Sequence, residues 1–122
     1  MQFSEPKGIY LQIADQMRER ILRREWSAGQ RIPSIRELAV ELGVNPNTVA
    51  RSYQTLVDSR LIANRRGLGY FVAEDAAERA LAEMREAFLR DEMPRIVRTM
   101  RLLGIGPEEI SAGFSRQERA NA

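Results

Sequence analysis

A run of polar side chains at helical spacing, between residues 45 and 54 of the 122-residue chain, has the clearest chemical potential. Asn47, Arg51 and Gln54 follow one another at steps of four and three residues, so a helix places them on one face. Amide and guanidinium groups form paired hydrogen bonds with the edges of adenine and guanine. We therefore expect an exposed helical surface that can read bases, backed by an inner stripe of Val49, Tyr53 and Leu56 and extended by Ser52 and Val57.

The residues just before this surface predict a second helix and a tight turn. Ser34 is followed three residues later by Glu37, the spacing at which each side chain satisfies a backbone N–H at a helix start. Gly43 supplies the left-handed position that ends a helix. Asn45-Pro46 then offers a cap and a first helical residue. Two helices joined by so short a turn predict a helix-turn-helix.

Two further elements are expected to hold this pair of helices. The segment from Ile9 to Arg24 predicts a first amphipathic helix, with its inner stripe at Tyr10, Ile13, Ala14, Met17 and Ile21. Residues 61–64 and 70–73 are β-prone runs that predict a hairpin, or wing. Glycines between the runs permit positive φ, and arginines there can reach phosphate or a minor groove; this connection is Arg65-Arg66-Gly67-Leu68-Gly69.

The composition changes after residue 73. Residues 1–73 carry 11 Lys or Arg and 7 Asp or Glu, whereas residues 74–122 carry 8 and 10. Apolar residues of this second segment recur at helical spacing up to Phe88 and again after Pro94, and Pro107 opens a last short helix. Such a tail is too small for a stable core of its own, so a second copy is the simplest surface for it to pack against. We expect the dimer interface at Leu81, Met84, Phe88, Ile96, Val97, Met100 and Leu103.

Composition excludes several classes of protein. The chain contains no Cys and no His, which removes disulfides, His general bases, Cys nucleophiles and the usual zinc sites. The acidic residues are interpreted as parts of solvated helix faces, so we expect no metal, no cofactor and no enzymatic reaction. No apolar run approaches the roughly 18 residues of a membrane span, and the N-terminus lacks a signal-peptide pattern. We therefore expect a cytoplasmic protein without a membrane partner.

Several linked motifs in one order resemble the GntR family of bacterial regulators. They are Tyr10-Leu11-Gln12-Ile13-Ala14, the runs 32–39 and 42–49, and Gly67-Leu68-Gly69-Tyr70-Phe71-Val72, which together span about residues 7–73. The third-helix sequence Asn45-Pro46-Asn47-Thr48-Val49-Ala50-Arg51, with so short a tail, resembles the YtrA-like branch of the family. Other branches carry large effector domains, which we do not expect here.

The resemblance implies a mostly α-helical fold with a small β-hairpin: a winged helix-turn-helix over residues 1–73 and a helical dimerisation tail over residues 74–122. It further implies a homodimer that binds an inverted-repeat operator in double-stranded DNA, usually as a repressor. Family members contact DNA through positions that correspond here to Arg36, Asn45, Asn47, Thr48, Arg51, Arg66 and Gly67. Helical spacing and charge add Gln54 and Arg65. Pro46 and Ala50 stand where better-studied branches have arginines, so the base preference should differ from theirs.

Some of these residues also have a purely structural explanation. Asn45 and Thr48 can serve only the helix start, and Arg65 and Arg66 can protect a strand edge from pairing. The apolar stripe of the tail can line a small-molecule pocket, so an effector stays open. A winged helix can also bind RNA or protein, and the enzyme class is disfavoured by the missing His and Cys.

Overall fold

A computed structural model describes residues 8–121, which form two compact units that meet in sequence between Glu83 and Met84. Residues 1–7 of the expected first domain and residue 122 of the tail lie outside the described residues. The first unit holds α1 (Ile9–Leu22), α2 (Ile35–Leu42), α3 (Pro46–Asp58), β1 (Ile62–Arg65), β2 (Gly69–Val72) and most of α4 (Ala76–Ala87). The second holds the end of α4, a π-helical turn (Phe88–Glu92), α5 (Met93–Leu103) and α6 (Pro107–Ala120). The mostly helical fold with a small hairpin is confirmed.

The start of α2 and the turn that follows it form as the sequence predicts. The Glu37 backbone N–H donates to Ser34 Oγ at 3.1 Å, and the Ser34 N–H donates to Glu37 Oε1 at 3.0 Å. Gly43 ends the helix at φ 67°. The Asn47 N–H then donates to Asn45 Oδ1 at 2.7 Å, and Pro46 is the first residue of α3. Gly43 and the Asn45 cap thus confine the connection between α2 and α3 to residues 43–45.

Both strands of the wing lie one residue closer to the turn than the sequence indicated. β1 and β2 are antiparallel and pair from Ile62 with Val72 to Arg65 with Gly69, so the connection is 66–68 rather than 65–69. The Arg65 carbonyl also accepts from the Leu68 N–H at 2.9 Å, which closes the turn tightly. At the other end the Ala73 N–H donates to the Leu61 carbonyl at 2.9 Å.

An extended segment before α2 pairs with the far edge of β2. The Ile32 N–H donates to the Tyr70 carbonyl at 3.0 Å, and the Val72 N–H donates to the Gln30 carbonyl at 2.9 Å. Arg31 lies opposite Phe71 in this bridge. Because both edges of β2 have partners, the wing is anchored to the connection that leads into the helix-turn-helix.

The core of the first unit lies between α1, α3 and the hairpin. Ile13, Met17 and Ile21 of α1 are buried against the inner face of α3. The Tyr53 hydroxyl donates to the Pro33 carbonyl oxygen, and its ring meets the Tyr70 ring edge-on at a centroid distance of 4.8 Å. Burial holds the pKa of Tyr53 well above its ordinary value. The predicted inner stripe of α3 is confirmed, with Val49, Ser52, Tyr53 and Leu56 buried and Val57 half-buried.

The first unit extends ten residues beyond the expected boundary at residue 73. Ala76 and Ala80, on the first turns of α4, are 1% and 0% exposed and belong to the same core as α1 and Val72. Arg18 Nε on α1 also lies 3.8 Å from Glu83 Oε2. The expected boundary followed the change in composition after residue 73, and the small alanines beyond it give no strong apolar signal that would assign them to the first core.

A π-helical turn precedes Pro94, in the first turn of α5. Pro94 has no N–H, and its ring would clash with the carbonyl of Arg90, four residues earlier, in a regular α-helix. The turn at Phe88–Glu92 takes up one residue more than an α-turn and relieves this clash. The helical path thus continues from α4 into α5 instead of breaking. The last helix, α6, has 14 residues and is longer than the short helix expected there.

Candidate nucleic-acid interface

The outer face of α3 presents the polar side chains that the sequence placed there. Asn47, Arg51 and Gln54 are all exposed, and the opposite face of the helix is buried in the core. Gln54 Nε2 donates to Asp58 Oδ1 at 2.8 Å, one turn further along. That bond must open, or be shared, for the Gln54 amide to meet a base edge. Asn47 and Arg51 are therefore the better placed of the three for base contact.

Arg51 lies over an aromatic ring from another helix. Its guanidinium carbon is 3.9 Å from the centroid of the Tyr10 ring, on the first turn of α1. The neighbouring Ser52 hydroxyl donates to the Tyr10 carbonyl oxygen at 2.7 Å. Tyr10 was expected in the inner stripe of α1 but is only half-buried, because its ring covers the flank of α3. Helical periodicity predicts which side of α1 carries Tyr10, but not whether its ring lies in the core or against the flank of α3.

Residues at the starts of α2 and α3 divide into exposed and structural groups. Arg36 is exposed on the first turn of α2. Asn45 uses its side-chain oxygen to cap α3, so the structural explanation accounts for that atom. Thr48 is half-buried, and its carbonyl accepts from Ser52 Oγ at 3.2 Å. Of these three side chains, Arg36 has the greatest reach toward a partner.

The wing presents cations beside its tip. Arg65 lies with its guanidinium carbon 4.5 Å from the Phe71 ring centroid on the paired strand, and Arg66 and Gly67 are exposed in the turn. Arg31 also reaches this region: its Nε lies 2.9 Å from the position that a Cβ on Gly69 would occupy. Sequence reasoning missed Arg31, because only the pairing of its segment with β2 brings it to the wing.

The candidate surface retains its positive charge. By contrast, Arg20 of α1 is paired with Glu41 at 3.0 Å, and Arg23, which follows α1, is paired with Glu19 at 3.7 Å. Among residues 8–121, no carboxylate oxygen lies within 4.0 Å of a guanidinium nitrogen of the arginines expected at DNA, which are Arg36, Arg51, Arg65 and Arg66. These side chains therefore remain available to an anionic partner.

The acidic group nearest to this surface in sequence serves the helix start instead. Hydrogen bonds from the Ser34 backbone N–H and hydroxyl hold the pKa of the Glu37 carboxyl below its ordinary value. Over the described range, no group of three or more Asp or Glu side chains is placed to hold a metal ion. None of the helices described is long and apolar enough to span a bilayer.

The residues expected at a dimer interface are exposed or half-buried apolar side chains, with Leu81 at the end of the first unit and the others in the second. Leu81, Phe88 and Ile96 are 46%, 47% and 41% exposed, and Met84 and Met100 are half-buried. Val97 and Leu103 are also exposed. Further large apolar side chains of the second unit are exposed and were not singled out from the sequence: Leu89, Met93, Leu102, Ile110 and Phe114.

Comparison with known proteins identifies relatives along most of the chain. Residues 9–72 match the family described as "Bacterial regulatory proteins, gntR family". The uncharacterized HTH-type transcriptional regulator YhcF of Bacillus subtilis is 39% identical over 113 residues, 93% of this chain and 92% of YhcF. The HTH-type transcriptional repressor YtrA of the same organism is 31% identical over 102 residues, 84% of this chain and 78% of YtrA.

Solved structures agree with this family. A GntR family transcriptional regulator from Listeria monocytogenes superposes with a TM-score of 0.76 at 32% identity, over 93% of this chain and 98% of that one. AraR(DBD), solved in complex with operator ORR3, is 28% identical with a TM-score of 0.51, over 60% of this chain and 95% of that one. The chain carries the DNA-binding domain of these regulators, is similar to the YtrA-like members and is not an enzyme. By sequence and by fold, it belongs to the GntR family of bacterial transcription regulators.

Proposed function

We propose that this regulator binds an inverted-repeat operator in double-stranded DNA as a homodimer and represses transcription from it. The observation that carries the proposal is the orientation of α3, whose inner face is buried while Asn47 and Arg51 are exposed at its outer face. A helix held in this way can enter a major groove about 12 Å wide. The proposed division of labour has α3 reading bases, and Arg36 and the wing contacting the DNA backbone.

The proposed dimer rests on the apolar surface of the second unit. Exposed side chains such as Phe88, Ile96 and Leu103 lose contact with water only when a partner covers them. We propose residues 84–122, with Leu81 on α4, as the pairing element, in place of the expected 74–122. A symmetric pair presents two α3 helices, which matches an inverted repeat. We propose repression and not activation because the similar protein YtrA is named a repressor. Acting on chromosomal DNA, the protein would work in the cytoplasm.

The direct test is binding of the purified protein to DNA from its own upstream region. Fluorescence anisotropy or gel retardation should give operator affinity well above that for a scrambled duplex of equal length. The operator affinity should fall steeply as salt rises, because phosphate neutralisation releases counterions. Equal affinity for both duplexes would reject a sequence-specific regulator, and stronger binding to single-stranded RNA would favour an RNA-binding module.

Two arginine variants separate base reading from backbone contact. Arg51→Ala should relax the preference at one operator base pair, at a cost of about 1–3 kcal/mol. Arg65→Ala should instead weaken all duplexes alike and lower the salt slope by about one. The side chains of Arg51 and Arg65 are exposed, so the thermal midpoints of both variants should stay near that of the parent protein. Uniform loss of affinity in both would show that Arg51 does not read a base.

Repression itself is tested in cells. A reporter driven by the upstream region should rise in expression when the regulator is deleted and return to its original level when it is supplied again. Lower expression after deletion would make the protein an activator and leave its DNA binding intact.

A further inference from the structure

We infer that Tyr10 is a positioning residue for base reading: its ring supports the Arg51 guanidinium and orients it before DNA binds. The inference rests on the proposed function, since it requires that Arg51 contacts a base of the operator. The guanidinium carbon of Arg51 lies 3.9 Å from the Tyr10 ring centroid. At this distance the cation interacts with the negative face of the ring.

Tyr10 is attached to α3, the helix that carries Arg51, by two contacts. Arg51 and Ser52 are neighbours on α3, and both contact Tyr10: one lies over its ring and the other donates to its carbonyl oxygen at 2.7 Å. Ser52 is fully buried, so this hydrogen bond is shielded from water. A Cβ on Gly8 would lie 3.6 Å from Tyr10 Cε1, so the Gly8 backbone is also close to the ring. The hydrogen bond fixes the Tyr10 backbone against α3, and the Arg51 contact places the ring beside the same helix.

Orientation matters because a long exposed arginine loses rotamer freedom when it forms a base contact. A guanidinium stacked on a ring uses its flat side, and its N–H groups lie in the guanidinium plane. Arg51 can thus keep the ring contact and present a donor edge to a guanine. The arrangement recurs at the wing, where Arg65 lies 4.5 Å from the Phe71 ring centroid. There, however, the ring belongs to the same hairpin, whereas Tyr10 comes from a different helix.

The first test concerns the contact in the protein without DNA. Arg51 Nε–Hε should show a ring-current shift in proton NMR in the parent protein and in Tyr10→Phe, and this shift should disappear in Tyr10→Leu. Tyr10→Phe keeps the ring, and Tyr10→Leu keeps an apolar side chain without a π face. If the parent protein shows no such shift, Arg51 does not lie over the Tyr10 ring before DNA binds. The positioning role of Tyr10 is then wrong, whatever the DNA measurements give.

The second test measures discrimination between the operator and a duplex with the Arg51-dependent base pair exchanged. Tyr10→Leu should lower operator affinity about threefold to fivefold and lower discrimination by the same factor. Affinity for the exchanged duplex should change less than about twofold, because the ring acts only through the base contact. Tyr10→Phe should match the parent protein. In the Arg51→Ala background, Tyr10→Leu should leave discrimination unchanged.

The outcomes are distinguishable. If Arg51→Ala relaxes base preference but Tyr10→Leu leaves discrimination intact, or weakens both duplexes equally, the positioning role is wrong and the proposed function stands. If Arg51→Ala leaves base preference intact, Arg51 does not read a base, and the positioning role for reading fails with it. A common fall in thermal midpoint and in affinity for both duplexes would identify Tyr10 as merely structural.

Discussion

The buried Ser52 hydroxyl of α3 donates a 2.7 Å hydrogen bond to the carbonyl oxygen of Tyr10 on α1. It is a polar link across the main helix contact of the first unit, where the other close neighbours are largely apolar. Because the Tyr10 carbonyl lies in the first turn of α1, this bond sets where the start of α1 meets α3.

Replacing Ser52 tests the strength of that link. Ser52→Ala should lower the free energy of unfolding by about 1 kcal/mol, because one buried hydrogen bond is lost. Thr55→Ala is the matched control: its hydroxyl bonds the Arg51 carbonyl within α3 at 2.9 Å, and its helix propensity changes similarly. We expect no loss there, or a gain of roughly a few tenths of a kcal/mol, because alanine favours the helix and the Thr55 bond stays within it. Urea unfolding measures both, and equal losses would mean that the link to α1 contributes nothing specific.

The capping box of α2 should make stability depend on pH. Hydrogen bonds from Ser34 lower the pKa of Glu37 in the folded state, so its carboxylate stabilises the fold above the ordinary glutamate pKa. This contribution is lost as the pH falls through the lowered folded-state pKa. The thermal midpoint of Glu37→Gln should therefore lie below that of the parent protein at pH 7, and the two should converge toward pH 3. A difference that is constant from pH 7 to pH 3 would contradict this origin.

The wing contains two glycines that should differ in their tolerance of a side chain. Gly69 has φ +118°, and a Cβ there would lie 2.9 Å from Arg31 Nε. Gly67 has φ +79°, and nothing lies within 4 Å of the position of its Cβ. Gly69→Ala should cost about 2–3 kcal/mol and displace Arg31, whereas Gly67→Ala should cost about 1 kcal/mol. Chemical denaturation compares the two, and a larger loss at Gly67 would contradict the crowding at Gly69.

The proposed dimer surface can be tested with one charge at two positions on α5. Ile96→Glu places a carboxylate on the apolar surface and should give a monomer in sedimentation, because burying that charge without a partner is costly. Arg98→Glu introduces the same carboxylate at an exposed position of α5 that faces away from Ile96, and it should remain a dimer. Operator affinity should fall sharply only in Ile96→Glu. Dimers in both variants would exclude Ile96 from the interface.

Most of the DNA-binding fold could be predicted because its signals are local. The bonds of Ser34 with Glu37 and of Asn45 with Asn47 span two or three residues, so spacing alone reveals them. Periodicity likewise separates Val49 and Tyr53 from Asn47 and Arg51, since one helix geometry places all four. The expected dimer surface, by contrast, remains a prediction, because its partner is another chain.

The amino-acid sequence by itself determined the three helices, the wing, the exposed polar face of α3 and the family, because caps, turns and helical periodicity act over a few residues. Only the tertiary structure decided that Arg51 lies over Tyr10, that Arg31 reaches the wing at Gly69, and that Ala80 belongs to the first core. Each of these contacts joins residues distant in sequence. Their partners are selected by packing and backbone pairing across the whole unit, which no local pattern encodes.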